Sequence, residues 1–320
     1  MNTATAEAID RRAIPARATE TIWKADDGHA IRRIDWPASP RGSILFLPGR
    51  GDHYEKYLET LEEWHRAGWT VTAADWRGQG GSGRLGTDAT TGHVADFSVW
   101  LGDLGALWRD FVARTPAPHV LAAHSMGGHL ALRAVADGIV APDALVLSAP
   151  MLGMAGPPLP LPVLQGVAKL MRRLGPPTRP AWKWSEKPGE IPAMREHLLT
   201  HDRERYADEQ WWRDHRPELV MGPGSWGWVE RAYASTRALF ARGVLEHVTV
   251  PVLIVATSAD ELVSFAAIRE AARRLPHARL VQFGAESAHE ILREADGVRG
   301  RAMVAIADFL DRVAPAAGKA

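Results

Sequence analysis

The chain of 320 residues contains no cysteine. This absence excludes disulfide bonds, cysteine-ligated metal sites and a thiol nucleophile. An excess of charge is also lacking, because 38 Lys and Arg balance 38 Asp and Glu. Nucleic-acid-binding proteins normally carry a basic excess, so we expect no nucleic-acid partner.

Long hydrophobic segments are missing as well. The first 20 residues contain acids and arginines but no apolar stretch, so they do not resemble a secretory signal. The most apolar window, residues 144–167, cannot form one continuous membrane-spanning helix because prolines interrupt it. These prolines are Pro150, Pro157, Pro158, Pro160 and Pro162. We therefore expect a cytoplasmic protein, with peripheral contact at the inner face of the membrane left open.

Short apolar runs alternate with stretches of helical spacing along most of the chain. The runs predict strands at residues 19–24, 31–36, 43–47, 69–74, 119–123, 144–148, 251–256 and 279–283. The spacing predicts helices at residues 54–67, 97–114, 126–136, 265–275 and 300–313. Because strands and helices alternate, we predict an α/β fold with a mainly parallel sheet and helices on both faces.

Residues 151–243 differ from this pattern. They contain no convincing strand and are rich in Pro, Gly, Trp and Arg. Six of the 13 tryptophans lie here: Trp182, Trp184, Trp211, Trp212, Trp226 and Trp228. We predict that residues 1–150 and 244–320 form the two parts of one core, and that residues 151–243 form a helical cap insertion. An insertion after a strand end lies at the edge where open α/β sheets bind ligands.

Residues 122–128 (AAHSMGG) carry the strongest chemical signal in the sequence. Ser125 follows an apolar strand and opens a helix, which is the context of a nucleophile elbow. The sharp turn requires small residues two positions before and two positions after the serine. Gly127 meets this requirement, and Ala123, which replaces the usual glycine, is still small. The alternative is a serine that only caps the helix N-terminus.

A serine hydroxyl is a weak nucleophile unless a base takes its proton. His289 is the predicted base and Asp260 the predicted acid, because each comes shortly after a predicted strand, on the same sheet edge as Ser125. The chain order of serine, acid and histidine is the order that this type of elbow requires. Glu261, the next residue, is the competing acid.

The developing oxyanion needs two backbone N–H donors. Met126, directly after the nucleophile, is the first predicted donor. The second is Arg50, in the loop at residues 48–53 that follows the strand at residues 43–47. The alternative is that this loop is a plain glycine-rich turn.

Several further motifs occur in order along the chain. They are residues 47–51 (LPGRG), 76–83 (WRGQGGSG), 92–94 (GHV), 123–128 (AHSMGG), 148–151 (SAPM) and 288–290 (AHE), together with Asp260. In this set the chain resembles the lysophospholipase L2 and monoacylglycerol lipase group of the α/β-hydrolase fold. The resemblance covers most of the chain and is weakest in the insertion. Many monoglyceride lipases have His-Gly where this chain has Pro48-Gly49, which favours the lysophospholipase branch.

The resemblance implies a serine hydrolase that cleaves a carboxylic ester of a single-chain lipid, a lysophospholipid or a monoacylglycerol, through an acyl-enzyme on Ser125. It does not fix the head group. A general carboxylesterase, a thioesterase or a cofactor-free haloperoxidase would use the same triad, and a non-catalytic ligand-binding module would use the same scaffold. We expect a small lipid ester as the substrate and infer no protein partner.

One stretch of the insertion has apolar residues at helical spacing. They are Val163, Leu164, Val167, Leu170, Met171 and Leu174. The stretch is interpreted as a helix packed on the core, as a wall for the acyl chain formed by the first five of these residues, or as a surface that contacts the membrane. Lys169, Arg172 and Arg173 lie mainly on the other side, where they would solvate the helix or meet a phosphate. The insertion carries 14 Lys and Arg against 10 Asp and Glu, an excess that permits an anionic head group.

The other polar residues near the motifs are predicted to brace loops rather than to react. They are His53, His93, His124 and Asp75. No cluster of His, Asp and Glu has metal-ligand spacing, and the glycine-rich stretch at residues 78–83 lacks the lysine of a P-loop. We therefore predict no metal and no cofactor.

Overall fold

A computed structural model describes residues 8–37, 41–156, 159–183 and 195–315. The strands are β1 (Thr19–Lys24), β2 (Ala30–Trp36), β3 (Ser43–Leu47), β4 (Thr70–Ala74), β5 (His119–His124), β6 (Ala144–Ser148), β7 (Val252–Thr257) and β8 (Ala278–Phe283). They form one sheet in the order β1-β2-β4-β3-β5-β6-β7-β8. The pairs β1–β2 and β2–β4 are antiparallel, and the other pairs are parallel. The predicted mainly parallel α/β fold is confirmed.

The helices connect these strands in the predicted order. They are α1 (Leu58–Arg66), α2 (Phe97–Arg114), α3 (Ser125–Ala136), α4 (Leu161–Arg173), α5 (Arg195–Leu199), α6 (Arg203–His215), α7 (Trp226–Leu239), α8 (Phe265–Arg274) and α9 (Asp296–Val313). The helix predicted at residues 54–67 is divided, because Tyr54–Tyr57 forms a 3-10 helix before α1. α9 begins before the predicted residue 300. Gly297 and Gly300 weaken the sequence pattern there, but buried Arg299 pairs with Glu63 and holds the first turn.

The central strands are buried on both faces of the sheet. Every residue of β3, β4, β6 and β7 is buried, as expected for parallel strands covered by helices on both sides. Side chains of α2, α3 and α8 cover one face, and side chains of α1 and α9 cover the other. The carboxyl ends of the parallel strands meet at one edge, where such sheets bind ligands.

The described part of the segment between β6 and β7 contains α4, α5, α6 and α7, joined by loops, and adds no strand to the sheet. Its first helix, α4, packs on its last long helix, α7. Trp184, one of the tryptophans counted in the predicted insertion, lies outside the described residues. The division of the chain into a core and a cap at residues 150 and 243 stays a prediction.

Gly127 lies where the start of α3 passes the end of β3. A Cβ atom at this position would be 2.3 Å from the carbonyl oxygen of Pro48 and 2.7 Å from that of Leu47. Backbone atoms at the end of β3 are therefore too close for any side chain at this position. Gly102 in α2 offers a contrast, because nothing lies within 4 Å of the same position.

We expect Gly127→Ala to lower the free energy of unfolding by about 1–3 kcal/mol, because the backbone must shift to admit the methyl group. Gly102→Ala is the matched control and should raise the free energy of unfolding by up to about 1 kcal/mol, because alanine favours the helix. Urea denaturation of both variants measures the difference. Equal stability of the two variants would contradict the steric argument.

Candidate active site

Ser125 lies in a strained turn between β5 and α3. Its φ of 50° places a residue with a side chain in the left-handed region, which persists only where the surroundings enforce it. The N–H of Met151 donates to the Ser125 carbonyl at 2.9 Å and helps to fix the turn. His124 is the N-cap of α3, and no side chain caps it. The alternative interpretation of Ser125 as a capping serine is therefore wrong.

The three residues of the predicted triad come together at the sheet edge. Nε2 of His289 lies 2.9 Å from Oγ of Ser125. Nδ1 of His289 lies 2.7 Å from Oδ2 of Asp260. In the tautomer that this arrangement requires, Nδ1–H donates to the carboxylate and Nε2 accepts from the serine hydroxyl. The turns after β5, β7 and β8 thus place Ser125, Asp260 and His289 in one line of hydrogen bonds, the arrangement of a serine–histidine–acid triad.

The charges of this pair stabilise each other. Burial alone would lower the pKa of His289, but the Asp260 carboxylate outweighs it, so the pKa lies above its ordinary value. Burial would likewise raise the pKa of Asp260, yet the charge and hydrogen bond of His289 hold it below its ordinary value. The N–H groups of Leu262 and Val263 donate to Oδ1 of Asp260 at 2.8 and 3.0 Å. Asp260 is therefore an oriented carboxylate, whereas the competing acid Glu261 is exposed.

The loop at residues 48–52 passes directly over Ser125. A Cβ atom on Gly49 would lie 3.0 Å from Cβ of Ser125. Gly49 N–H donates to Asp52 at 3.1 Å and Gly51 N–H donates to the Gln79 side chain at 2.7 Å. The N–H groups of Arg50 and Met126 donate to no residue in the described part of the chain. The residue after Gly49 and the residue after Ser125 thus each have an unused N–H group, and an oxyanion site requires two such donors.

A buried ion cluster beside the triad escaped the sequence analysis. The ammonium of Lys56, whose side chain is fully buried, lies 2.6 Å from Asp52 and 2.5 Å from Glu290. It also lies 3.1 Å from Glu209 of α6. The sequence gives little sign of this cluster, because its members are far apart in the chain and Lys56 falls in a polar 3-10 turn. The AHE motif, in which Glu290 follows His289, is the one hint.

The acids of this cluster do not fit a free metal site. Asp52, His124 and Glu290 place ligand atoms within 4.8 Å of one another, the one such group among the described residues. Lys56 pairs with both carboxylates and Arg293 pairs with Glu290, so two positive charges already meet the two negative charges that would attract a metal ion. Nothing in this donor set points to a cofactor.

Three of the four residues predicted to brace loops make the expected contacts. Nδ1 of His53 lies 2.9 Å from Glu55, and Nδ1 of His93 lies 2.7 Å from Ser225 Oγ. Asp75 accepts from Arg32. The prediction is wrong for His124, whose side chain makes no hydrogen bond within the described part of the structure and comes no closer to Asp52 than 3.9 Å. Burial lowers the pKa of His124 to about 4, and its neutral ring packs 4.8 Å from that of His289.

A cavity of about 510 Å³ opens above Ser125 and His289. Apolar side chains from the strand ends and the helical segment line much of it. They include Met151, Met154, Leu198, Met221 and Val263. A cavity of this size and lining suits one small, mostly apolar ligand.

The predicted acyl-chain wall does not line this cavity. Its members are Val163, Leu164, Val167, Leu170 and Met171, all on α4, and none belongs to the described lining. α4 instead buries the small Ala168, and its Arg172 pairs with Glu230 of α7 at 2.9 Å. This packing turns the apolar stripe to solvent, where Val163, Val167 and Leu170 are 47, 51 and 56% exposed. The prediction failed because helical spacing shows which face is apolar, but not what covers it.

Among the described residues, none of the helices has both the length and the hydropathy needed to cross a bilayer.

Known proteins show the family to which the chain belongs. The sequence matches the family described as serine aminopeptidase, S33, over residues 38–296. It is 30% identical over 289 residues to lysophospholipase L2 of Escherichia coli strain K12, covering 84% of this chain and 80% of that protein. Over 142 residues it is 30% identical to monoacylglycerol lipase of Mycolicibacterium smegmatis, covering 43% of this chain and 47% of that protein.

The fold has a close counterpart among solved structures. A soluble variant of monoglyceride lipase from Saccharomyces cerevisiae, in complex with a substrate analogue, superimposes with a TM-score of 0.75 at 16% identity. The alignment covers 96% of this chain and 97% of that one. At this identity the likeness supports the fold alone. The resemblance predicted from the motifs is confirmed by the family match and by the bacterial relatives. The chain belongs to the serine aminopeptidase S33 family of α/β-hydrolases, in the group of lysophospholipase L2 and monoacylglycerol lipase.

Proposed function

We propose that the protein hydrolyses a carboxylic ester of a single-chain lipid, with Ser125 as nucleophile, His289 as general base and Asp260 as the orienting acid. The observation that carries this proposal is the unbroken line of hydrogen bonds from Ser125 through both ring nitrogens of His289 to Asp260. Ser125 and His289 of this line also form part of the wall of the partly apolar cavity. Nucleophile, base and substrate space are thus adjacent.

The reaction proceeds in two similar halves. Oγ of Ser125 attacks the ester carbonyl while Nε2 of His289 takes its proton, and the carbonyl oxygen becomes an oxyanion that accepts from the N–H groups of Arg50 and Met126. The C–O bond to the alcohol then breaks, and the imidazolium gives its proton to the leaving oxygen. Water attacks the acyl-enzyme with His289 again as base, and the free fatty acid leaves.

The lipid class of the substrate rests on two supports. The relatives are named lysophospholipase L2 and monoacylglycerol lipase, whose substrates carry one acyl chain. The cavity also has room and apolar surface for part of such a chain. A general carboxylesterase, a thioesterase or a cofactor-free haloperoxidase would have the same triad, so a panel of monoacylglycerols, lysophospholipids, p-nitrophenyl esters and acyl thioesters separates these activities.

The exposed stripe of α4 supports a further part of the proposal, a peripheral contact with a lipid bilayer. Val163, Val167, Leu170 and Leu174 are 47–68% exposed along one line of the helix. Surface helices normally turn such a stripe inward, and an outward stripe marks an interaction surface. Lys169 and Arg173, both exposed, flank one side of the stripe, which suits the anionic lipid surface on which a single-chain substrate would be found.

We expect Ser125→Ala to lower kcat for any hydrolysed ester by about 10⁴–10⁶-fold with an unchanged thermal midpoint, because only the nucleophilic oxygen is lost. A fluorophosphonate should label the native protein and not the variant, as read by intact-protein mass spectrometry. Ser148→Ala, at the end of the neighbouring strand, is the matched control and should still be labelled. Labelling of Ser125→Ala at the native rate would exclude this serine as the nucleophile.

Asp260→Asn should lower kcat by about 10⁴-fold, because the amide favours the wrong tautomer of His289. The pH profile gives a second readout. Protonated His289 cannot accept a proton, so kcat/KM of the native enzyme should fall as the pH drops through a pKa above 6.5, the ordinary histidine value. Loss of the carboxylate removes the charge that raises this pKa, so the inflection of Asp260→Asn should move to lower pH. A larger loss in Glu261→Gln than in Asp260→Asn would reassign the acid.

Val167→Ser combined with Leu170→Ser should weaken binding to vesicles of phosphatidylglycerol and phosphatidylcholine by about tenfold or more, because two apolar side chains no longer enter the interface. Co-sedimentation measures the bound fraction. Val304→Ser on α9 removes a valine that is also exposed, at 61%, and should bind vesicles as the native protein does. If all three proteins sediment equally, or if none sediments, α4 does not contact the bilayer.

A further inference from the structure

The cavity above Ser125 contains a guanidinium without a counter-ion. Arg50 lines the cavity, and its guanidinium lies 5.1 Å from the ring centroids of both Trp182 and Trp228. Nη2 donates to the Gly222 carbonyl at 2.7 Å. Within the described parts of the chain, no carboxylate lies within the 4.0 Å of an ion pair with Arg50. Aromatic faces and one carbonyl thus hold the cation in place without neutralising it.

This arrangement is electrostatically unfavourable unless an opposite charge lies nearby. Desolvation lowers the pKa of Arg50 to about 10, and the positive charge of Arg195 acts in the same direction. Burying a charge is costly unless an opposite charge accompanies it. Arg195 lies in the wall of the same cavity, but its guanidinium pairs with Glu209 at 3.8 Å, so the charge that lacks a counter-ion there is that of Arg50. An anion that enters the cavity would relieve this cost.

The same wall also has hydrogen-bond donors with no acceptor. Nε of Arg50 and Nε1 of Trp228 are buried and have no partner among the described residues. The acids of the cavity wall do not neutralise the charge of Arg50. Asp52 and Glu290 are already paired with Lys56, and Glu261 is exposed. Positive charge and unused donors therefore coincide at one side of the cavity.

We propose that the side chain of Arg50, held between Trp182 and Trp228, is a subsite for the phosphate of a glycerol ester. The enzyme then prefers a lysophospholipid to a neutral monoacylglycerol. A guanidinium presents paired N–H donors that match phosphate oxygens. The scissile ester and the phosphate of a lysophospholipid lie on one glycerol, so one residue can serve both, the ester oxyanion with its backbone N–H and the phosphate with its side chain. This inference rests on the ester hydrolysis proposed for Ser125, and it replaces the phosphate contact predicted for Arg172 and Arg173 on α4.

The unmodified enzyme provides the first test. sn-Glycerol 3-phosphate should inhibit hydrolysis of a neutral p-nitrophenyl ester competitively, and its inhibition constant should be about tenfold or more below that of glycerol. Added salt should weaken the phosphate inhibitor and leave glycerol unaffected. If glycerol 3-phosphate inhibits no better than glycerol, the subsite does not exist. This comparison needs no variant, so it does not depend on whether a substitution disturbs the fold.

A variant tests the residue itself. The ratio of kcat/KM for a short-chain lysophosphatidylglycerol to that for the monoacylglycerol of equal chain length should fall by about tenfold to a hundredfold in Arg50→Gln. Arg50→Lys, which keeps a positive charge, should recover part of the ratio. Arg172→Gln removes a guanidinium from α4 outside the cavity and should keep the native ratio. If Arg50→Gln loses activity on both substrates equally, Arg50 only braces the tryptophans and the proposal is wrong.

Binding without turnover separates this inference from the proposed function. Ser125→Ala should bind glycerol 3-phosphate in calorimetry with the affinity of the native enzyme, and Ser125→Ala with Arg50→Gln should bind it about tenfold or more weakly. If binding depends on Arg50 but the native protein hydrolyses no ester of the panel, the subsite is supported and the proposed hydrolysis is refuted. Ester hydrolysis by a protein that does not bind glycerol 3-phosphate would do the reverse.

Discussion

One buried ammonium group joins the three segments that form the site. Lys56 pairs with Asp52 of the loop at residues 48–52, with Glu290 beside His289, and with Glu209 of α6. Each of these charges is costly to bury. Arg293 also pairs with Glu290 and Glu209, so removing Lys56 would above all leave Asp52 without its buried ammonium partner. The position of the loop at residues 48–52 relative to the turn that carries His289 therefore depends on this cluster. Lys56 itself makes no described hydrogen bond to Ser125, Asp260 or His289.

The close contact between the loop at residues 48–52 and the turn at Ser125 also depends on small residues in both segments. Ser125 adopts a positive φ, and Gly127 and Gly49 allow backbone approaches that a Cβ atom would prevent. The donors flanking Arg50 are occupied by Asp52 and Gln79, so the loop is held before any substrate arrives. Donors that are already oriented stabilise a developing oxyanion without a cost of reorganisation at the moment of reaction.

The sequence predicts those parts of the site that local pattern controls. Ser125, Asp260 and His289 each follow a strand of the parallel part of the sheet, and parallel strands bring such positions to one edge whatever the rest of the chain does. The direction of α4 could not be predicted in this way, because an amphipathic pattern identifies a face and not its neighbour. Ala168 and the pairing of Arg172 with Glu230 decide which side packs. The Lys56 cluster was missed for a related reason, since its charges come from separate segments and look like ordinary surface residues one by one.

Arg50 contacts two parts of the site, one through its backbone and one through its side chain. The sequence pattern alone could not show the second contact. Its backbone N–H is one of the two unused donors beside Ser125, and its side chain lies against Trp182 and Trp228 of the helical segment. Hydrogen bonds of Gly49 and Gly51 fix the backbone on both sides of Arg50, so the Arg50 side chain extends from a fixed position relative to Ser125. An anion held there would place the ester carbonyl of the same glycerol at a set distance from Ser125. Binding energy from a group that does not react would then orient the group that does, which is how a head group can affect kcat as well as KM.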